Sequence, residues 1–366
     1  MSMRLNAVRC CAAAVTLVCG APALAEEFYV QHNLVSDGFV PADHNTDTNL
    51  VNAWGLVFNP QGPAWVANNG TGTSTLYDGN GVAVPAPPAM PLVVKIPGPG
   101  GATGTPTGIV FNASKNFTVT ENSTTGASAF IFATEDGLIA GWAPSVDVKN
   151  AVVAVDNSAS GAVYKGLALG ANGSGNRLYA TNFHNGTVDV FDSSFKPVTN
   201  AGAFVDPELP NGYAPFGIQI IAGDVFVTYA VQQQPARHDE VDGRGLGIVD
   251  VYDANGKLLR RLASHGELNA PWGLALAPEG FGELRGSLLV GNFGDGKIHA
   301  YTLHSGDFLG PLESADDQPI QIQGLWGLSF GSGFANAPAD TLYFTAGPGG
   351  ESHGLYGRID VKPSSH

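Results

Sequence analysis

A loop between residues 232 and 247 concentrates side chains that could do chemistry. It reads QQQPARHDEVDGRGLG and places a histidine and three carboxylates within a few positions. Imidazole and carboxylate groups can ligate a cation or transfer protons. The spacing does not match an EF-hand loop, in which oxygen ligands alternate before a closing glutamate. Two hypotheses stay open for this loop: a catalytic or metal site that uses His238, Asp239 and Asp242, and a mobile, solvated lid.

Three further candidates for catalysis lie outside this loop. Glu121 lies near the end of the run FTVTEN (117 to 122), and Lys165 directly precedes the glycine of the run YKGLAL (164 to 169). If these runs are strands of adjacent sheets, the two side chains could form an ion pair with perturbed pKa values. Glu121 is also a candidate metal ligand. His184, in the turn NFHNG, is the third catalytic candidate.

Candidate ligand-binding residues recur at equivalent places along the chain. An aromatic residue precedes a glycine in four short apolar runs, and an asparagine ends three others. The set comprises Trp54, Phe216, Trp272, Trp326, Asn68, Asn182 and Asn292. The aromatic residues could line a site for a flat or apolar ligand, or they could be packing wedges between sheets. The asparagines could contact a ligand, or they could close turns by local hydrogen bonds.

These residues belong to six copies of one repeat. The copies align on six glycines, which are Gly55, Gly108, Gly166, Gly217, Gly273 and Gly327. Successive glycines are 53, 58, 51, 56 and 54 residues apart. A regular period of this size indicates stacked supersecondary units.

Each copy contains short runs rich in Val, Ile, Phe and Tyr, bounded by Gly, Asn and Asp, which is typical of β-strands. The second run of each copy follows about ten residues after the glycine; in the second copy it is FTVTEN. Runs such as PLVVKI (91 to 96) and AVVAV (151 to 155) supply a fourth strand. The sequence therefore predicts an all-β, six-bladed β-propeller with four-stranded antiparallel blades.

The last copy has only three strands, and EFYVQHNLV (27 to 35) belongs to no copy. We expect this N-terminal strand to complete the sixth blade and so to close the ring, which protects an open sheet edge. Within each blade, the repeated glycine should lie where neighbouring backbones crowd around the central channel.

The first 25 residues predict an export signal. Arg4 and Arg9 precede a short apolar run, and Ala23-Leu24-Ala25 has the small-x-small pattern of a cleavage site. All three cysteines lie in this segment, so residues 26 to 366 contain no thiol. The sequence thus predicts a signal peptide (1 to 25), a single propeller domain (26 to 366), release into the periplasm or medium, a monomeric state and no membrane span.

Composition excludes several kinds of function. Without Arg4 and Arg9, the 17 basic residues fall to 15 against 32 acidic ones, a net charge near −17. Binding to nucleic acid or to an anionic membrane needs the opposite charge. The sequence also lacks the G-x-S-x-G, H-E-x-x-H and phosphate-loop motifs.

Several stretches resemble a family of secreted bacterial propellers. They include QHNLVSD, NLVNAWGLVFNP, LYATNFHNGTVDVFD, the RHDEVDG insertion and LNAPWGLALAP with LLVGNFGDGKIHAY. The glycine runs are also distantly similar to propellers of the NHL-repeat and regucalcin/gluconolactonase type. The resemblance implies export and a propeller fold. The hydrolases among these propellers hold a divalent ion at the heads of their inner strands, where this sequence offers no carboxylate.

We therefore expect an exported propeller that binds a small molecule, or a protein or glycan partner, on one face of the ring. The alternative is a hydrolase or lyase that depends on a divalent cation such as calcium, with its site at the channel mouth. Its candidate residues are Glu121, Asn182, Asn292, His238 and Asp239. A third hypothesis is a structural ring that organises partner proteins.

Overall fold

A computed structural model describes residues 27–86, 88–199 and 202–363. The predicted signal peptide lies outside these residues. Six of the seven β-sheets formed by the described residues surround a central channel, and the innermost strand of each of these six contacts the innermost strand of the next. The predicted all-β, six-bladed propeller is confirmed.

The strands follow in chain order, blade by blade. Before the first blade come β1 (Glu27–Ser36) and β2 (Asn45–Thr46). Blade 1 contains β3 (Ala53–Phe58), β4 (Ala64–Asn68), β5 (Thr73–Tyr77) and β6 (Val93–Lys95). Blade 2 contains β7 (Pro106–Phe111), β10 (Phe130–Thr134), β11 (Leu138–Trp142) and β12 (Val152–Asp156); a hairpin of β8 (Thr118–Glu121) and β9 (Thr124–Ala127) follows β7. Blade 3 contains β13 (Tyr164–Asn172), β14 (Gly175–Asn182) and β15 (Thr187–Asp192) within the described residues.

The remaining blades follow the same order from the channel outward. Blade 4 contains β16 (Tyr213–Ile221), β17 (Asp224–Gln232), β19 (Ile248–Tyr252) and β20 (Leu258–Ser264), with the short β18 (Glu240–Val241) paired to β17. Blade 5 contains β21 (Pro271–Leu276), β22 (Ser287–Asn292), β23 (Ile298–Thr302) and β24 (Phe308–Pro311). Blade 6 contains β25 (Leu325–Phe330), β26 (Leu342–Ala346) and β27 (Leu355–Pro363). The helices of the described residues are 3-10 turns at Asn69–Thr71, Pro99–Gly101, Ser158–Ser160 and Gly282–Leu284, all too short to span a bilayer.

The N-terminal strand completes blade 6, as the sequence predicts. Strand β1 pairs antiparallel with β27, from Glu27 opposite Pro363 to Ser36 opposite Leu355. The fourth strand of the last blade therefore comes from the other end of the chain, and the outer edge of β27 is paired rather than exposed.

The glycine that anchors each repeat lies against the next blade. A Cβ atom at Gly217 would be 2.1 Å from the carbonyl oxygen of Trp272, and one at Gly55 would be 2.2 Å from that of Thr107. The same contact closes the ring, because a Cβ at Gly327 would lie 2.8 Å from the carbonyl oxygen of Trp54. A side chain cannot fit at such distances, which explains why the sequence repeats glycine here.

The tight turns that follow the third strands of blades 1, 3 and 4 share one hydrogen-bond pattern. In blade 4 the Asp253 carboxylate accepts hydrogen bonds from the backbone N–H groups of Asn255 and Lys257, and Gly256 has a φ of 84°. Asp78 and Asp192 cap the corresponding turns of blades 1 and 3 in the same way. A short carboxylate that bonds the backbone two and four residues ahead fixes the turn, so the sequence signature Asp-x-x-Gly or Asp-x-x-Phe marks it.

The core consists of apolar clusters between adjacent blades. Six clusters fill the six interblade spaces, and a seventh, aromatic cluster lies on the channel axis. Because inner and second strands are covered on both faces by neighbouring blades, their sequences are almost continuously apolar.

The second strand of blade 2 differs from the prediction. FTVTEN was expected there, but the structure places FIFAT, residues 130 to 134 (β10), beside β7 and puts Thr118–Glu121 in the separate β8–β9 hairpin. All five residues of β10 are buried, whereas only Val119 is buried in β8. A strand that alternates polar and apolar residues cannot occupy a place that is covered on both faces.

Candidate functional site

The side chains that could take part in binding or catalysis lie on one face of the ring. It is the face where the inner strands begin, so it carries the residues that precede each anchor glycine and the turns between second and third strands. We call it the entry face. At its centre lie a buried aromatic cluster and, next to it, a group of charged side chains around Lys165.

The aromatic cluster closes the channel at the entry face. The rings of Trp54 and Trp326 stack with centroids 3.6 Å apart, and Phe293 stacks on Trp326 at 4.0 Å. Phe216 packs against Trp326 at 5.9 Å. Trp54, Trp326 and Phe216 are at most 1 % exposed. These rings therefore meet across the axis as a plug, and they neither wedge between blades nor line an open mouth.

Trp272 is the fourth aromatic residue of the predicted set and is less buried than the others. Its indole Nε1 donates a hydrogen bond to the backbone oxygen of Lys165 at 3.1 Å. Its ring also borders the channel below the plug. Trp272 thus connects the entry face with the channel interior.

Lys165 is the central charged residue of the entry face. It precedes Gly166 in blade 3 and is 1 % exposed. Its Nζ donates to Glu135 Oε1 at 2.5 Å, lies 3.9 Å from Asp239 Oδ1 and stands 5.1 Å from the centre of the Trp54 ring. Within the described residues, this bond to Glu135 is the ammonium's one hydrogen bond, although an ammonium has three donors.

The carboxylates around Lys165 keep it charged. Burial lowers the pKa of a lysine, but Glu135, Glu240 and Asp239 outweigh this effect and raise the pKa of Lys165 above its ordinary value. A lysine with a raised pKa stays protonated near neutral pH. It can therefore donate hydrogen bonds and stabilise negative charge, but it is a poor nucleophile.

Glu240 and Glu351 stand near this ammonium without a direct ion pair. Burial raises the pKa of Glu240 to about 7, although Lys165 opposes the shift. Burial also raises the pKa of Glu351, whose carboxylate accepts a hydrogen bond from Asn52 Nδ2 at 2.8 Å. The Glu240 carboxylate makes no hydrogen bond to another described residue, so near neutral pH it is free to take up or release a proton.

Two asparagines link the charged group to the plug. Asn69 Nδ2 donates to Glu135 Oε2 at 2.8 Å, and Asn52 Oδ1 accepts a hydrogen bond from the Trp326 indole at 2.9 Å. Asn52 has a φ of 45°, a left-handed conformation that asparagine tolerates better than most residues. The amides therefore fix the carboxylates of Glu135 and Glu351 above the stacked rings.

The insertion between 232 and 247 covers Lys165. Strand β18 pairs with β17, with Gln232 opposite Glu240, so the insertion folds back as an extension of blade 4. His238 Nδ1 lies 2.7 Å from Asp239 Oδ1, and their side chains are 46 % and 61 % exposed. The insertion thus presents polar side chains to solvent while it directs Glu240 toward Lys165.

His184 supports the base of this insertion. Its Nδ1 lies 3.0 Å from the carbonyl oxygen of Ala236, and its Nε2 lies 3.4 Å from Arg237 Nη2. Its backbone oxygen accepts a hydrogen bond from Gln232 Nε2 at 3.3 Å. The structure therefore places His184 at the rim, where it holds the insertion to blade 3.

The residues fit a resident divalent cation poorly. Glu135, His238 and Asp239 each place one potential ligand atom within 4.8 Å of the others. However, the Lys165 ammonium already forms an ion pair with Glu135 Oε1 at 2.5 Å, and it lies 3.9 Å from Asp239 Oδ1. A cation held by the same oxygens would face a fixed positive charge at close range.

Glu121 does not join this group. It is exposed in the β8–β9 hairpin, which packs against the outer strands of blade 2. The sequence suggested an ion pair between Glu121 and Lys165, but the carboxylate that pairs with Lys165 in the structure belongs to Glu135. Asp242 is displaced toward blade 5, where burial and the nearby Asp295 raise its pKa.

The three predicted asparagines serve their own turns. Asn68 Nδ2 donates to Thr73 and Thr75, Asn182 Nδ2 donates to Asp189, and Asn292 Nδ2 donates to Asp295 and also to the backbone oxygen of Glu267 before β21. All three are at most 2 % exposed. Their placement agrees with the turn interpretation of these residues.

Sequence reasoning missed Glu135, Glu351 and the role of Glu240. Glu135 follows β10 in FIFATED, the position that Phe183 occupies after β14 in LYATNF, so correct assignment of the second strand reveals it. Glu351 lies in the equivalent turn of blade 6. Nothing in the insertion's sequence distinguishes Glu240, which folds inward, from Asp239, which is exposed.

Comparison with known proteins gives relatives of similar architecture. No family model matches this sequence. The uncharacterised Acanthamoeba polyphaga mimivirus proteins R648 and L690 are 32% and 31% identical to it, and the alignments cover 89% of this chain with 78% and 84% of theirs. The mimivirus protein R640 is 34% identical over 68% of this chain, but this match spans only 46% of R640. These relatives are viral, so they give no support to the bacterial family expected from the sequence.

Solved structures share the fold at low identity. A protein of unknown function from Bacteroides thetaiotaomicron has a TM-score of 0.57 and 8% identity, with 92% of this chain and 77% of that chain covered. A catalytically inactive virginiamycin B lyase from Staphylococcus aureus with quinupristin has a TM-score of 0.54 and 12% identity, with 91% and 99% covered. Identities this low establish the propeller fold and no activity.

Proposed function

We propose that this chain, which belongs to the same protein family as the mimivirus proteins R648 and L690, is an exported propeller that binds a small uncharged, hydroxyl-rich molecule on its entry face. Export rests on the signal-like pattern of residues 1 to 25. The observation that carries the binding proposal is the buried Lys165 ammonium, which has four carboxyl groups nearby but makes one hydrogen bond within the part of the chain that the structure describes.

The charges around Lys165 favour this class of ligand. One ammonium is surrounded by Glu135, Asp239, Glu351 and the partly protonated Glu240, so the net charge is negative. An anionic ligand would be repelled. Hydroxyl groups can donate hydrogen bonds to the carboxylates and can accept hydrogen bonds from the two remaining N–H groups of Lys165. A ligand rich in hydroxyl groups therefore satisfies both the carboxylates and the ammonium.

An aromatic surface adjoins these polar groups. Phe39 is 54 % exposed, its ring stacks on His353 at 3.9 Å, and it lies beside the turn that carries Glu351. His353 in turn pairs with Asp37 at 2.7 Å, which holds the stack in place. The apolar face of a sugar ring could pack here while its hydroxyl groups reach the carboxylates.

Access to Lys165 depends on the insertion. His238 and Asp239 are about half exposed and lie over the ammonium, so their displacement would open the site. We expect the segment 232–247 to act as a cover that closes on the ligand.

The test is a thermal-shift screen of neutral mono- and disaccharides, followed by calorimetric titration of each compound that stabilises the protein. Lys165→Met should abolish the binding, and Lys115→Met, at an exposed lysine, should leave it unchanged. Binding of amines or anions in preference to neutral sugars would contradict the proposed ligand class. Unchanged binding by Lys165→Met would remove Lys165 from the site.

A further inference from the structure

The channel beyond the aromatic plug has a wall built from one aliphatic residue of each blade. Each of these residues directly follows an anchor glycine, and the six are Leu56, Ile109, Leu167, Ile218, Leu274 and Leu328. Each also packs into the apolar cluster between its own blade and the preceding one. The wall is therefore held by the interblade core and is formed before any ligand arrives.

This wall encloses a cavity of about 290 Å³, to which all six inner strands contribute. Gly55 and Gly327 line it, and they directly follow the plug residues Trp54 and Trp326. The plug thus closes the cavity toward the entry face. Toward the opposite face the lining ends at residues such as Pro60 and Gln219, which are exposed where the inner strands finish.

The lining sets the chemistry of an occupant. None of the described residues that line the cavity is charged, and its polar side chains other than Trp272 are Gln219 and Ser329, near the open end. The inner edge of each innermost strand also directs backbone N–H and C=O groups at the channel. The aliphatic side chains favour an apolar ring, and the backbone groups beside them favour groups that form hydrogen bonds, so an occupant would combine the two.

The volume limits the size of an occupant. An apolar cavity of ~150 Å³ holds a molecule the size of benzene. The cavity of about 290 Å³ is roughly twice as large, and its rigid wall limits expansion. It suits a bicyclic molecule and is too small for a folded protein element.

We propose that the channel is a second binding site, open on the face opposite Lys165, for an uncharged cyclic molecule that combines an apolar ring with a hydroxyl or carbonyl group. This site does not depend on the proposed function of the entry face, because the buried plug of Trp54, Trp326 and Phe216 separates the two.

The test uses 1-naphthol, a fluorescent bicyclic alcohol, in equilibrium dialysis and fluorescence titration with the full chain. We expect one saturable site per chain. Leu56→Phe and Leu328→Phe, which fill the cavity from neighbouring blades, should each weaken binding by at least about tenfold, since core overpacking leaves no room for the guest. Leu259→Phe is the matched control, because Leu259 is 44 % exposed on an outer strand.

A third variant tests the same cavity by enlarging it. Leu274→Ala should bind 4-phenylphenol, a longer molecule, more tightly than the unaltered channel does. Naphthalene-1-sulfonate, a charged compound of similar shape, should fail to bind. The proposal is overturned if 1-naphthol shows no saturation up to its solubility, if both phenylalanine variants bind it as the unaltered protein does, or if the sulfonate binds equally well.

Discussion

Lys165 and Glu135 come from neighbouring blades and meet at 2.5 Å beneath the insertion of a third blade. Their side chains are 2 % and 11 % exposed, so each charge depends on the other for compensation. Lys165→Met should therefore destabilise the protein by about 3–5 kcal/mol, as expected when one partner of a buried ion pair is removed. Chemical denaturation measures this loss.

A double variant provides the control for this pair. Lys165→Met combined with Glu135→Gln should recover part of the lost stability, because the buried Glu135 charge is no longer left without its partner. Losses that simply add in the double variant would show that the two charges are not coupled. Lys115→Met should be neutral.

Glu240 should make stability depend on pH in the opposite sense from an ordinary surface carboxylate. Burial raises the folded-state pKa from 4.5 to about 7, so the folded protein binds more protons than the unfolded chain between these values. Stability from this group is complete below pH 4.5 and is lost as pH rises toward 7. We expect Glu240→Gln to be more stable than the unaltered protein at pH 8, with little difference at pH 4.

Urea unfolding at both pH values checks this expectation. Glu279→Gln is the matched control, because the Glu279 side chain is 93 % exposed. A constant difference in stability between Glu240→Gln and the unaltered protein from pH 4 to 8 would contradict the raised pKa.

His299 should produce a second pH effect, with the reverse sign. It is 3 % exposed, its ring nitrogens have no hydrogen-bond partner among the described residues, and burial lowers its pKa despite the nearby Asp295 and Glu267. The unfolded chain then binds a proton that the folded protein rejects, so stability falls as pH drops below about 6.5.

His299→Leu should flatten this dependence and raise stability at pH 5.5, whereas His304→Leu, at an exposed position, should leave it unchanged. The free energy of unfolding measured at pH 5.5 and 7.5 decides the matter. An equally steep loss of stability in His299→Leu would assign the dependence to other groups.

Gly217→Ala should destabilise the ring. Its Cβ would stand 2.1 Å from the Trp272 carbonyl oxygen, so two inner strands must separate, at a cost of about 1–3 kcal/mol or more. Gly173 has no neighbouring atom within 4 Å of such a Cβ, and Gly173→Ala should change stability by less than about 0.5 kcal/mol. Thermal unfolding compares the two variants, and equal midpoints would refute the crowding argument.

Protein purified without chelator should contain well below one equivalent of divalent metal. The physical reason is the Lys165 ammonium, which stands at the oxygens that a cation would need. Elemental analysis measures the content. One equivalent of calcium or another divalent ion, lost in Glu135→Gln and retained in Glu121→Gln, would overturn this expectation and favour the cation-dependent enzyme.

The repeat made the fold predictable because each anchor glycine and its aliphatic successor occupy the same crowded place in every blade. Closure by residues 27–35 could be predicted because the last copy lacked a strand that the first residues could supply. The assignment failed at blade 2, where an inserted hairpin offered a second candidate strand. Burial on both faces, which favours FIFAT over FTVTEN, is the physical criterion that separates them.

The charged group was less predictable for a different reason. Lys165 was found because it replaces an aromatic residue before a glycine, but its partners lie in turns, where sequence patterns carry little information on direction. Glu240 lies beneath the exposed Asp239 only because the insertion pairs with β17 in one particular register. The aromatic plug was likewise hidden, since the sequence shows which residues face the axis but not that their rings meet across it.

Because Glu27 pairs with Pro363, these two residues lie side by side, which makes the protein suitable for circular permutation. A short linker could join these neighbours, and new ends could be opened at an exposed turn such as Ala222-Gly223 between β16 and β17. In such a circular permutant, every blade except blade 4 would be built from one continuous segment of the chain. The seam of the ring would move from blade 6 to blade 4.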